Sequence, residues 1–507
     1  MEQLYDVAII GGGINGCGCA ADAAMRGLSV FLCEQDDLAA KTSSSSTKLI
    51  HGGLRYLEYF DFSLVKKALD ERQTLLHIAP HLVHPLPIVL PHKKHMRPSL
   101  ILRAGLFLYD HLSRKNRLPA SQSVRRKQNP EYFAPLAKEL SKGFLFYDCI
   151  TDDARLTVAN ALQAKQHGAA ILTRTKLIAA EACEQQWRLT LQSGKTTPFQ
   201  IRAKTVINAT GPWAEYVNTM LHVPATYNLT LVKGSHIVVH KLYEGQHAYM
   251  LQHDDKRIVF VIPYHGYTLI GTTDVAFQQK LEEVHIDAAE INYLLTLVNK
   301  YFRQTIDEKD IIHTWSGIRP LLSAEGKSLK ALSRDYAYSY YNAPAPLVSI
   351  FGGKITTYRR LAEQAVEQLR TTFPHLKPSC TQVTPLPGAR FKELDLSRYE
   401  AYALDKYFWL DEKILHHYLK NYGTRTELLL ADAHTQSDLG LKFTDTLYQI
   451  EVNYLINEEW AQTAEDILWR RTKLGFEANA ETQLALHDYL SDKKTSHATC
   501  RQSEISA

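Results

Sequence analysis

No pair of cysteines in this 507-residue chain stands at C-x-x-C spacing, and the seven present (Cys17, Cys19, Cys33, Cys149, Cys183, Cys380 and Cys500) are scattered. That absence argues against zinc or iron–sulfur ligation, and the odd, dispersed set reads as reduced thiols in a cytoplasmic setting. No D-x-[DN]-x-[DN]-G loop is present, which excludes an EF-hand calcium site, and no metal site is expected. Charge of one sign is not in excess: the net charge is +4, so a nucleic-acid role has little support. No basic segment precedes an apolar run at the start, so no secretory signal is expected. Repeats of solenoid period are missing, and Ser43 to Ser46 is the only low-complexity stretch. What remains is a composition of 45% hydrophobic and 22% charged residues, that of a globular protein with two or three domains.

Residues 5–10 read as a buried strand, 11–16 as a tight turn, 14–25 as a helix of small residues, and 28–33 as a second strand ending at Glu34. Residues 205–208 and 347–351 are two further buried strands, the second followed by a helix to about residue 369. The nucleotide-binding fold is therefore expected to be discontinuous. Runs at 234–240, 248–251, 257–263 and 267–272 suit an antiparallel sheet. Five residues, Pro374, Pro378, Pro385, Pro387 and Gly388, mark a break before a helix-rich stretch. The expected fold is α/β: a discontinuous Rossmann-like domain (1–80, 145–225, 315–385), an inserted antiparallel-sheet substrate domain (81–144, 226–314) and a C-terminal helical domain (389–507).

Gly11-x-Gly13-x-x-Gly16 lies between strand and helix, with Glu34 at the end of the next strand. Gly11 permits the turn, Gly13 lets backbone approach a pyrophosphate, and Gly16 lets helix and strand pack closely. The helix N-terminus attracts negative charge, and Glu34 is placed to accept from ribose hydroxyls. This fingerprint alone does not separate FAD from NAD.

Three further segments do. They are Thr42-Ser-Ser-Ser-Ser-Thr-Lys48-Leu49-Ile-His51-Gly52-Gly53-Leu54-Arg55-Tyr56, Val206-Ile-Asn-Ala-Thr-Gly211-Pro-Trp213 and Phe351-Gly-Gly353-Lys354-Ile-Thr356-Thr-Tyr358-Arg359. With the 459–472 stretch they resemble the FAD-dependent D-amino-acid oxidase-like superfamily and, within it, the bacterial aerobic glycerol-3-phosphate dehydrogenases. The resemblance covers nearly the whole chain and implies dissociable FAD held by Gly11, Gly13, Asn15, Gly16, Glu34, Thr42, Ser43, Ser46, Lys48, Leu49, His51, Gly52, Gly53, Gly211, Gly353, Lys354 and Thr356. It implies substrate binding by Arg55, Tyr56, Arg319, Arg334 and Lys354, since a phosphate dianion suits cationic side chains and the Arg fork above all. His236 is the leading base, with Arg319 and Lys354 as stabilisers of a developing alkoxide.

The resemblance further implies glycerol 3-phosphate as substrate, a membrane quinone as acceptor, a homodimer, and a peripheral place on the inner membrane. Residues 92–117 combine a short apolar patch with basic flanks, which suits a segment lying on an anionic lipid surface rather than spanning it.

Overall fold

Two β-sheets organise the chain from Leu4 to Gly352, and a helical domain follows. The computed structural model describes residues 3–93, 97–224, 226–255, 257–323, 335–391 and 395–505, with side chains to 493. The first sheet runs in the order Tyr336–Tyr341, Leu347–Gly352, Phe199–Asn208, Leu4–Ile10, Val30–Cys33, Ala170–Leu172. Its central pairings are parallel, and the hairpin Thr175–Cys183/Gln186–Ser193 adds antiparallel strands to Phe199–Asn208. Strands buried on both faces need helices above and below. Helix Ile14–Met25 supplies one cover with Cys17, Cys19, Ala20 and Ala23 fully buried. Burial pushes both of its thiols far up, so these cysteines act as small packing residues. Helices Asp153–Gln166 and Tyr358–Glu367 flank it.

The second sheet is largely antiparallel and contains Leu229–Val239, Tyr267–Gly271, Ile258–Tyr264 and Ala248–Gln252, as the sequence runs imply. Two boundaries differ from expectation. Strand Lys142–Thr151 pairs with Val83–Pro91, and Ile311–Leu322 pairs along Leu229–Val239, so both belong to the second sheet rather than the nucleotide-binding one. The Ala248–Gln252 and Val83–Pro91 strands are parallel, which makes the sheet mixed. Hydrophobic pattern sets which face of a strand is buried but not which strand lies beside it.

The C-terminal helices, among them Leu396–Lys406, Glu412–Tyr422 and Gln449–Glu459, enclose a separate core around Tyr418, Leu455 and Ile467. Where they meet the rest of the chain, His81 is packed against Gly388 and Gly423. Burial, then the Arg155 charge, pushes its imidazole down to about 3. The unfolded chain takes up this proton near pH 6.5, so stability present above that pH is lost as pH falls towards 3. At pH 5 His81 alone should cost about 2 kcal/mol. Urea unfolding of wild type and His81→Gln across this range checks it: the variant should lose less stability on acidification.

Candidate active site

A cavity of about 860 Å³ lies between the carboxyl ends of the parallel strands and the second sheet. That is the crevice where open α/β sheets bind ligands, and the volume suits a dinucleotide with a small substrate. At one end the chain turns at Gly11, whose φ of +108° a side chain would strain. A Cβ on Gly16 would overlap the Gly11 carbonyl oxygen, so helix and turn pack in contact there. Gly16 itself does not line the cavity, whereas Gly11, Gly13 and Asn15 do. The Ser43 hydroxyl accepts from the Ile14 amide (2.9 Å), placing it at the helix N-terminus. Glu34 accepts from the amides of Gly12 (2.6 Å) and Asp36 (2.8 Å), which fixes its carboxylate on the cavity wall. Burial raises its pKa, opposed by those two amides.

The structure also brings Thr42, Ser46, Leu49, His51, Gly53, Gly211, Gly353 and Thr356 to the wall. The Thr42 hydroxyl donates to the Ile318 carbonyl (2.8 Å), tying its loop to the second sheet. Asn15 Oδ1 is buried with no hydrogen-bond partner among the described residues, and its amide donates to the Gly352 carbonyl (3.3 Å). An unpartnered buried acceptor beside a glycine cradle fits a bound dinucleotide that supplies the missing donor. Two expected contacts are corrected. Lys48 Nζ lies 2.8 Å from both Asp153 carboxylate oxygens and is 2% exposed, so its charge is neutralised away from the cavity. Ser46 also donates to Asp153 (2.7 Å). Gly52 is packed under Leu69 and Tyr109, with its amide on the Tyr109 hydroxyl (2.8 Å), so it does not face the cavity. Gly53 is the residue of this pair that does, with a φ of +76°.

The second sheet closes the other end with Arg319 and His236, and Arg55, Tyr56 and Lys354 join them on the wall. Lys354 Nζ lies 5.2 Å from the Tyr56 ring centroid, and the Arg55 guanidinium lies 5.9 Å from that of Tyr59. Arg319 donates to the Asp274 carboxylate, to the Thr272 hydroxyl (2.7 Å) and to the Thr273 carbonyl (3.1 Å), which holds its planar fork still. The expected Arg334 lies outside the described residues. Asp274, Thr272 and the amide of Gly12 were not foreseen, because a lone Asp after a strand carries no spacing signal.

His236 is 1% exposed and stacks on Trp315 at 5.5 Å. Its Nε2 lies 2.9 Å from the Thr47 hydroxyl, and its Nδ1 has no partner among the described residues. Burial, then the charges of Arg319 and Lys48, hold its pKa well below the ordinary imidazole value. The ring is therefore neutral at pH 7, able to accept a proton but a weaker base than a free imidazole.

The arrangement is that of a two-sheet flavoenzyme, with a glycine-rich cradle under one sheet and a cationic end under the other. Residues 6–359 match the model of the FAD dependent oxidoreductases, and residues 379–490 match the C-terminal domain of alpha-glycerophosphate oxidase. The chain belongs to the FAD-dependent oxidoreductase family, and its cofactor is FAD. It is 48% identical to a glycerol-3-phosphate dehydrogenase of Pseudomonas aeruginosa, covering 97% of this chain and 96% of that one. It is 45% identical to the aerobic glycerol-3-phosphate dehydrogenase of Escherichia coli (96% and 97% covered) and 44% identical to a D-erythritol 1-phosphate dehydrogenase of Brucella abortus (93% and 94%). The glycerol-3-phosphate dehydrogenase of Bacillus halodurans, solved with FAD, superposes with a TM-score of 0.76 at 25% identity, covering 97% of this chain and 94% of that one.

Proposed function

We propose that this flavoenzyme oxidises sn-glycerol 3-phosphate to dihydroxyacetone phosphate and passes the electrons to a membrane quinone. The carrying observation is the placement of Arg55, Arg319 and Lys354 on the wall of one cavity with a neutral, buried His236. Guanidinium and ammonium groups hold the phosphate by charge-assisted hydrogen bonds. Arg319, fixed by Asp274 and Thr272, and Lys354 stabilise negative charge on the C2 oxygen while the His236 imidazole accepts the C2 hydroxyl proton. FAD, when bound, would supply the hydride acceptor. Glu34, fixed by the Gly12 amide, would hold its ribose hydroxyls, and the helix amides after Gly13 would hold its diphosphate.

Steady-state assays with an artificial acceptor test the substrate. Glycerol 3-phosphate should exceed D-erythritol 1-phosphate, and glycerol should lose about three orders of magnitude in kcat/KM, roughly 4 kcal/mol of phosphate recognition. Preference for glycerol or an amino acid would remove the cation assignments, and fast oxygen uptake without acceptor would make the protein an oxidase. His236→Asn should slow anaerobic flavin reduction by roughly a hundredfold. An unchanged rate constant and pH profile would exclude this residue as the base.

Membrane attachment is supported by helix Ser99–His111, whose Leu100 (79%), Ile101 (55%) and Phe107 (63%) are exposed. The turn Leu54–Tyr59 packs beside it, Arg97 pairs with Glu58 at 3.0 Å, and Phe60 is 79% exposed. Among the described residues no helix is long and apolar enough to cross a membrane. An apolar face with basic neighbours instead enters the interface of an anionic bilayer. Wild type should sediment with anionic vesicles at physiological salt, and Phe107→Glu should weaken this at least tenfold. Equal sedimentation of both proteins would count against this docking face.

A further inference from the structure

Residues 459–473 carry a run of acidic and basic side chains that no catalytic step uses, and none of them lines the cavity. Their side chains nevertheless grip two chain segments that do, and a third that anchors the Ser46 loop. Asp37, 1% exposed, receives the Arg471 fork at 2.8 Å on each oxygen, and Arg470 Nε at 2.7 Å. Asp37 lies in the loop that brings Glu34, Gln35 and Ala39 to the wall and closes on Gly12 through the Ala39 amide (3.1 Å to the Gly12 carbonyl). Asp466 holds Arg174 with both oxygens at 2.7 Å, and the backbone of Arg174 and Thr175 donates to Asp36 (2.8 Å) and Glu34 (2.7 Å). Lys473 pairs with Asp152 at 2.8 Å, next to the Asp153 that anchors Ser46 and Lys48.

Arg471 is completely buried and also donates to the Glu459 carbonyl (2.6 Å), so its fork is aimed from within the C-terminal domain. Desolvated ion pairs of this kind are poor sources of stability, and removing one partner strands a buried charge. What they supply is geometry. Asp37 and Arg174 lie in the segments that follow strands Val30–Cys33 and Ala170–Leu172, beside Glu34, so the fork and the Asp466 carboxylate fix that carboxylate's surroundings from outside the cavity.

We propose that the segment Asp466 to Lys473 of the C-terminal domain is the positioning element for the adenosine half of FAD, holding the Glu34–Asp37 loop closed so that cofactor binding and docking of this segment favour each other. By linkage, FAD tightens the segment as much as the segment tightens FAD. The proposal rests on the adenosine half lying at Glu34. Hydrogen exchange of the full-length apoprotein, before and after FAD addition, tests both statements separately. FAD should slow exchange in 11–16 and 34–41, and also at least tenfold in 466–473, which it does not touch.

Asp37→Asn should raise the Kd for FAD at least tenfold, while the KM for glycerol 3-phosphate at saturating FAD stays unchanged. Lys165→Met, which removes the solvent-exposed Lys165–Glu458 pair (3.5 Å) across the same domain contact, should bind FAD within twofold of wild type. Unchanged exchange in 466–473, an Asp37→Asn Kd within twofold of wild type, or an equal loss in Lys165→Met overturns the proposal. Absent protection in 34–41 refutes the cofactor placement instead. Should Asp37→Asn fail to fold, the wild-type exchange data decide.

Discussion

Gly16→Val is expected to yield a colourless protein that no longer retains FAD. The new Cβ would overlap the Gly11 carbonyl oxygen, a backbone atom that no rotamer change can move aside. Gly11 in turn has a φ of +108° and sits against the Ala209 carbonyl, so the turn has no direction in which to yield. The helix must therefore shift, and its N-terminal amides leave the position where they meet a diphosphate. Overpacking of this kind costs about 1–3 kcal/mol of stability, which a chain with three separate cores elsewhere should survive. The ratio of flavin to protein absorbance, with circular dichroism to confirm folding, reads the result. A yellow Gly16→Val protein would mean that the glycine turn is not where the cofactor binds.

Arg319→Met is expected to lower kcat/KM for glycerol 3-phosphate by about three orders of magnitude, roughly 4 kcal/mol. The fork is clamped by Asp274, Thr272 and the Thr273 carbonyl, so its donors are aimed before substrate arrives. Arg319→Lys keeps the charge but not the planar fork and should recover only part of the loss. The variant should retain FAD, because its contacts lie at the second-sheet end of the cavity. Stopped-flow reduction and steady-state kinetics on the FAD-loaded variant measure the effect, and a loss under tenfold would remove Arg319 from the substrate's first contacts.

Much of this site was legible because its nucleotide end is local in sequence. Gly11, Gly13, Gly16 and Glu34 lie within one strand–helix–strand unit, where turn geometry and packing act on neighbouring residues. The substrate end is not local. Even at the nucleotide end, Lys48 was expected on FAD, but its ammonium is claimed by Asp153, 105 residues away. His236 was identifiable as a candidate, yet its proton affinity depends on burial and on Arg319 and Lys48, which only the folded second sheet brings near. Domain limits failed for the same reason at Lys142–Thr151 and Ile311–Leu322, whose patterns fit either sheet until Val83–Pro91 and Leu229–Val239 are seen beside them. The 459–472 stretch was visible only as part of the resemblance, and Asp37, the partner of Arg470 and Arg471, lies more than 400 residues earlier (separations 433 and 434).

The most direct measurement is the visible spectrum of the purified yellow protein under strict exclusion of oxygen, before and after one equivalent of sn-glycerol 3-phosphate. The account predicts that the flavin absorption bleaches within a single turnover, with dihydroxyacetone phosphate formed in equal amount. A spectrum unmoved by glycerol 3-phosphate in protein whose flavin a chemical reductant still bleaches would contradict it.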